Sequence, residues 1–424
     1  ERSRGPWYPC VQEWKWRRTL SYWIAVTFLE GALFFMISSF LWCYPTRLGR
    51  LKDTVTTWGY ICGKINFFIC TYLMCLETIN LSNTDSVDRP EDEETDSSED
   101  SQEERRPQDT PEDRWRWWPF HVRTAVRKLH ALGAGPWPYY ASAIYFIGVL
   151  TMSCGLAVEY VGLPEEVTKQ VSLFAFLIGS LCFVLGGAAE CIENDVFSLD
   201  PLRHLLGGDV EWRVGNGWWG ALLNFIAAFG FLTGAVLNYV PGVSWEGSFA
   251  YGVGSAIYVL GGVIMIVMWK DEQFGLTFLA VLNQLGDPRG RPLVARETTG
   301  DREEQTLSWP TALFIIVYIF GATVSVYDTM ISMNDMWHTS KPSHRMDVLS
   351  RTFNRFLPCI FAHSMLALTS GVYRAPKVAP FRQLYIACRF IGILMCINST
   401  AQFVSGLQGA TEVTLLHDES IVRD

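Results

Sequence analysis

Charge is scarce in this 424-residue chain: Asp, Glu, Lys and Arg make up 18 % of it, where a soluble protein carries about 25 %. Histidine is scarcer, at seven, and only His363 lies well inside a long apolar run. That removes a bis-histidine haem site. Eleven cysteines are present, but none forms a CxxC pair and none stands at zinc-ligand spacing from a histidine. Most of them (Cys62, Cys70, Cys75, Cys154, Cys182, Cys388 and Cys396) sit in apolar runs and read as small packing residues. There is no HExxH, no GxSxG elbow and no glycine-rich phosphate loop. The expectation is therefore no catalytic, cofactor or metal site, and no enzyme activity. No strongly basic face is present, which argues against nucleic acid as a partner.

What the chain has instead is apolar length. Hydrophobic residues make up 49 % of it and aromatics 14 %, and several runs exceed the roughly 20 residues that a bilayer-crossing helix needs. Nine spans are expected, near 20–44, 57–79, 138–161, 170–192, 217–240, 248–269, 309–332, 354–373 and 383–405. Polar residues interrupt the last three. The expected fold is an all-α, polytopic integral membrane protein of about nine transmembrane helices.

The first six spans form three hairpins. In the first span of each, an aromatic (Trp23, Tyr140, Trp219) is followed eight positions later by a small residue: Gly31, Gly148, Ala227. The second spans carry Gly63-Lys64, Gly179-Ser180 and Gly254-Ser255, each with an aromatic four after the glycine: Phe67, Phe183, Tyr258. Landmark spacings of 32, 31 and 27 residues suggest duplication of a two-helix unit. Over roughly residues 20–271 these hairpins resemble the YrhK-type hairpin of bacterial, algal and protist membrane proteins. Glu77 and Glu193 both stand fourteen after their glycine, whereas the third copy has Met268 there and the first has Lys64 in place of serine. The resemblance implies a fold and no established activity.

Along the chain, 1–19 reads as an interfacial segment, 20–81 as the first hairpin, and 82–113 as an acidic disordered linker. A basic interfacial helix follows at 114–137, with Val122, Val126 and Leu129 on one face. Hairpins at 138–195 and 216–271, an amphipathic helix and loop at 272–307, a three-span region at 308–406 and a tail at 407–424 complete it. The linker holds 14 acidic and 3 basic residues, so it accounts for more than the whole net charge of −9. Such a segment cannot bury enough surface to order itself. Ser97, Ser101 and Thr110 each have an acid at plus three, a pattern acid-directed kinases use and any acidic run also produces. Lys and Arg number 23 on the N-terminal side of the expected spans and 8 on the other, which favours a cytosolic N-terminus. The Asn80-Leu81-Ser82 triplet, close to a membrane end on that side, is expected to stay unglycosylated.

Ionisable residues inside a bilayer each cost about 2.5–3.5 kcal/mol on insertion scales, so each needs a reason. The candidates are Glu30, Lys64, Glu77, Glu190, Glu193, His363 and Arg389. Lys64 could bend toward Glu30 or snorkel outward; Arg389 could meet Glu77, Glu190 or Glu193. Such pairs serve either as structural glue or as a transport site. Glu159 and Asp328 are placed near span ends, within reach of water. Gly31, Gly59, Gly63, Gly148, Gly179, Gly230, Gly234 and Gly254 are expected to let helices pack closely. The favoured function is a non-catalytic membrane scaffold or accessory subunit, with membrane lipids and other subunits of a membrane complex as partners. The alternative is a secondary transporter or channel for a small solute or ion. Convergence of the polar set on one cavity would favour the transporter.

Overall fold

The computed structural model describes residues 20–80, 116–131, 135–158, 164–197, 216–271, 309–338, 342–371 and 379–421. Expectations for 1–19, 82–113, 272–307 and Glu159 lie outside them. The protein is an all-α polytopic membrane protein. Among the described residues, eight helices are long and apolar enough to cross a membrane, and there is no strand.

The helices run α1 (Leu20–Trp42), α2 (Pro45–Leu48), α3 (Lys52–Ile79), α4 (Val122–Ala131), α5 (Trp137–Val158), α6 (Glu165–Glu193), α7 (Asn216–Leu237), α8 (Ser244–Asp271), α9 (Trp309–His338), α10 (Pro342–Gly371) and α11 (Ala379–Ile421). The eighth expected span falls in α10, whose leading half carries Arg345, Asp347, Arg351 and Arg355, with Pro358 inside the helix. That polarity keeps it out of the eight. The expected tail from 407 is instead the continuation of α11 to Ile421.

Within each hairpin the two helices are antiparallel and approach at the small residues. A Cβ on Gly63 would lie 3.3 Å from the Gly31 carbonyl oxygen; one on Gly179, 2.9 Å from that of Gly148; one on Gly254, 2.9 Å from that of Ala227. Farther along, a Cβ on Gly230 would sit 2.7 Å from the Gly254 Cα, and one on Gly234 2.8 Å from the Gly247 carbonyl. In lipid there is no hydrophobic force between helices, so this backbone proximity and the dispersion contacts it permits supply the attraction. Gly59 faces differently: it makes room for Ser38 of α1 and Tyr327 of α9, whose hydroxyls hydrogen-bond at 2.7 Å.

The hairpins close into a ring. α3 packs on α5, α6 on α7, and α8 returns to α1. Phe67, Phe183 and Tyr258 meet in its centre, with ring centroids 6.0–6.4 Å apart. α1 belongs to the ring and also carries α9 on its outer side, and it buries 78 % of its apolar window, more than any other span. α10 and α11 pack on α9. At one end, α4 and the segment before it cover the α3–α5 junction. Asn80 exchanges two hydrogen bonds with the Arg116 backbone, each 2.9 Å, the Lys128 ammonium donates to the Ile79 carbonyl, and Tyr139 donates to that of Pro119. The buried side of α4 is Ala125 and Leu129; Val122, expected on that face, is exposed.

Candidate functional site

The polar side chains inside the spans are divided among separate places. The first is a small cavity of about 20 Å³ at the ring centre. Three sets of positions line it, each set counted alike from the hairpin landmarks. Phe28, Tyr145 and Asn224 stand three before the small residue; Phe67, Phe183 and Tyr258 stand four after the glycine; Met74, Glu190 and Met265 stand eleven after. In the first hairpin all three positions are apolar. The second and third supply a carboxylate with its donors: Glu190 Oε2 accepts from the Tyr145 hydroxyl at 3.1 Å and from the Asn224 amide at 3.0 Å. Spending its amide on Glu190 leaves the buried Asn224 Oδ1 without a hydrogen-bond partner among the described residues, and the Tyr258 hydroxyl is likewise unpartnered.

The second place is a cleft of about 400 Å³ on the outer side of α1. Its floor is α1 from Trp23 to Phe34; one wall is α3, with Ile65, Ile69 and Leu73; α10 forms the other side through His363. His363 Nε2 lies 3.1 Å from Glu30 Oε1, and Nδ1 lies 2.8 Å from the Cys359 carbonyl one turn back. A carbonyl only accepts, so Nδ1 carries hydrogen. A single proton then lies between Nε2 and Glu30, on one atom or the other, and the pair is neutral as a unit. This is how a carboxylate and an imidazole are accommodated at mid-span. The Glu30 side chain is 7 % exposed and that of His363 41 % exposed.

The remaining candidates lie elsewhere. Glu77, buried at the end of α3, is hydrogen-bonded by the Ser21 hydroxyl of α1. Glu193 is half-buried, and its Oε2 has no hydrogen-bond partner among the described residues. Lys64 neither snorkels nor bends toward Glu30: it is 5 % exposed, with its ammonium 4.3 Å from the centre of the Phe176 ring on α6. Lys64 and Glu30 sit on different sides of the α1–α3 contact. Arg389 does not meet Glu77, Glu190 or Glu193. Its guanidinium lies 4.8 Å from the Phe314 ring centre, because α11 packs on the side of α9 away from the ring. Asp328, expected near water, is fully buried and pairs with Arg355 of α10 at 3.3 Å.

Sequence reasoning missed Tyr145 and Tyr258 as polar groups and did not join Asn224 to Glu190. Their common offset from the landmarks was the available signal. The described residues contain no group of three or more His, Cys, Asp or Glu able to hold a metal ion. No family model, no curated protein and no solved structure matches the chain.

Proposed function

We propose that the protein is a non-catalytic membrane scaffold, an accessory subunit of a larger membrane assembly whose partners are lipids and other subunits. The observation that carries this reading is the dispersal of the polar set. Glu77 ties α3 to α1, Glu190 ties α6 to α5 and α7, Glu30 ties α1 to α10, and Asp328 ties α9 to α10. Each of these four carboxylates is used within a helix–helix contact, and they do not converge on one cavity as a carrier's coupling groups do. The ring of three hairpins, which we take as YrhK-type copies about one axis, then acts as a rigid platform. The Lys and Arg excess sets its N-terminus on the cytosolic side.

Purification from native membranes in mild detergent, with sizing and mass spectrometry, tests this reading. Migration in a large stoichiometric complex is the expected result. Migration alone, or as a small homo-oligomer, refutes it and turns attention to flux assays with Glu77→Gln and Glu193→Gln.

A further inference from the structure

The cleft beside Glu30 and His363 presents a physical problem. Glu30 is the eleventh of the 23 residues of α1, about 15 Å from one helix end and about 18 Å from the other at the standard rise, and so near the middle of a hydrocarbon core roughly 30 Å thick. His363 nonetheless exposes 41 % of its side chain there, beside the exposed rim residues Ile65 and Ile69. Both imidazole nitrogens are taken, by the Cys359 carbonyl and by Glu30, so the group left over is the second Glu30 oxygen; bare acyl chains offer it no hydrogen bond, and a phospholipid headgroup lies about 15 Å away along the normal. An occupant that satisfies the site must bring a small uncharged polar group to mid-membrane on an apolar body.

Size and hydrogen-bonding capacity narrow it. The cleft, open along α1 from Trp23 to Phe34, offers about 400 Å³. That volume lies within the range of small-molecule sites. Glu30 uses Oε1 on His363, and Asn66 donates its amide to the Cys62 carbonyl. The second Glu30 oxygen and the Asn66 side-chain carbonyl thus remain as acceptors at the cleft and the second Asn66 N–H as a donor, so a hydroxyl, which both donates and accepts, is the matching head.

We propose that the cleft between α3 and α10 binds an uncharged lipid with a hydroxyl head, such as a sterol, a long-chain prenol or a quinol, which donates its O–H to Glu30. The apolar body lies along Trp23, Ile69 and Leu73. This is a binding site, and no reaction is assigned to it.

The test uses the full chain captured in native nanodiscs without detergent. Lipid extraction and mass spectrometry should find about one hydroxyl lipid per protein, enriched over the surrounding membrane. Photoreactive diazirine analogues of a sterol and of a prenol should label peptides around Trp23, Ile69 or His363, and an excess of the unlabelled lipid should remove that label. Ile69→Trp narrows the cleft from its rim without touching the Glu30–His363 pair, and Cys62→Phe does so from the other end. At least one of these that keeps wild-type elution and melting should lose tenfold or more of the label. Finding only phospholipid in bulk proportion, labelling that does not compete, unchanged labelling in the filled variants, or a partner polypeptide cross-linked in the cleft would overturn the proposal.

Discussion

Replacing Gly254 by alanine tests the packing argument most directly. The added Cβ would stand 2.9 Å from the Ala227 carbonyl oxygen, 3.1 Å from Phe231 Cδ2 and 3.2 Å from the Gly230 Cα. Two of these three neighbours are backbone atoms, so the conflict is not relieved by a rotamer change, and α7 and α8 must part. Overpacking of this kind costs typically 1–3 kcal/mol, while a helical Gly-to-Ala change returns up to about 1 kcal/mol of propensity. The net expectation is a loss of about 1–2 kcal/mol. Gly220, on the same pair of helices, is the control: a Cβ there meets nothing nearer than Ile264 Cγ2 at 3.8 Å, so Gly220→Ala should be neutral or slightly stabilising. Reversible unfolding in mixed micelles, followed by tryptophan fluorescence, measures both. Equal stabilities for the two variants would show that close approach at the landmark glycine is not what holds the hairpin.

Glu190→Gln should cost less than Glu190→Leu, because the amide still has an oxygen to accept from Tyr145 whereas leucine strands both the Tyr145 hydroxyl and the Asn224 amide; each buried orphan costs about 1–3 kcal/mol, and the same unfolding assay ranks the two. Glu30→Gln and His363→Gln should each lower the melting temperature, and the double variant should lose less than the sum; strict additivity would mean that the 3.1 Å contact carries no coupling. Asn80→Ala should raise hydrogen exchange at residues 116–120 through loss of its bonds to the Arg116 backbone, with unchanged protection as the contrary result. Asn80 itself, 2 % exposed, should stay unglycosylated in membranes where the enzyme is present, and a mobility shift on glycosidase treatment that Asn80→Gln abolishes would count against its burial.

Much of the fold was legible because apolar length and small-residue spacing are local properties. Gly148 and Gly179 are 31 residues apart, and the helices carrying them have only a short connection in which to turn back. Contacts between hairpins were harder to read, because they depend on the rotational phase of each helix, which a nearly uniform apolar sequence scarcely encodes. Lys64 illustrates this: its depth left it to bend inward toward Glu30 or to snorkel outward, yet the phase of α3 turns it to Phe176 and leaves Glu30 to a histidine 333 positions onward. Asp328 looked wet from its place near a span end, but α10 lies over it. The cleft was not legible at all, since it is the gap left where α3 and α10 diverge around α1.

The central position of α1 also has a consequence in time. It is the first of the described helices to be synthesised, yet Tyr22 donates to the Leu366 carbonyl and Glu30 meets His363, 333 residues later. At ribosomal rates of about 5–20 residues per second, Glu30 waits on the order of 15–70 s for its partner to emerge. During that interval the nascent chain holds an unanswered carboxyl at mid-membrane, so biogenesis must shelter α1, either within the insertion machinery or against an attendant protein, until the last third of the chain arrives.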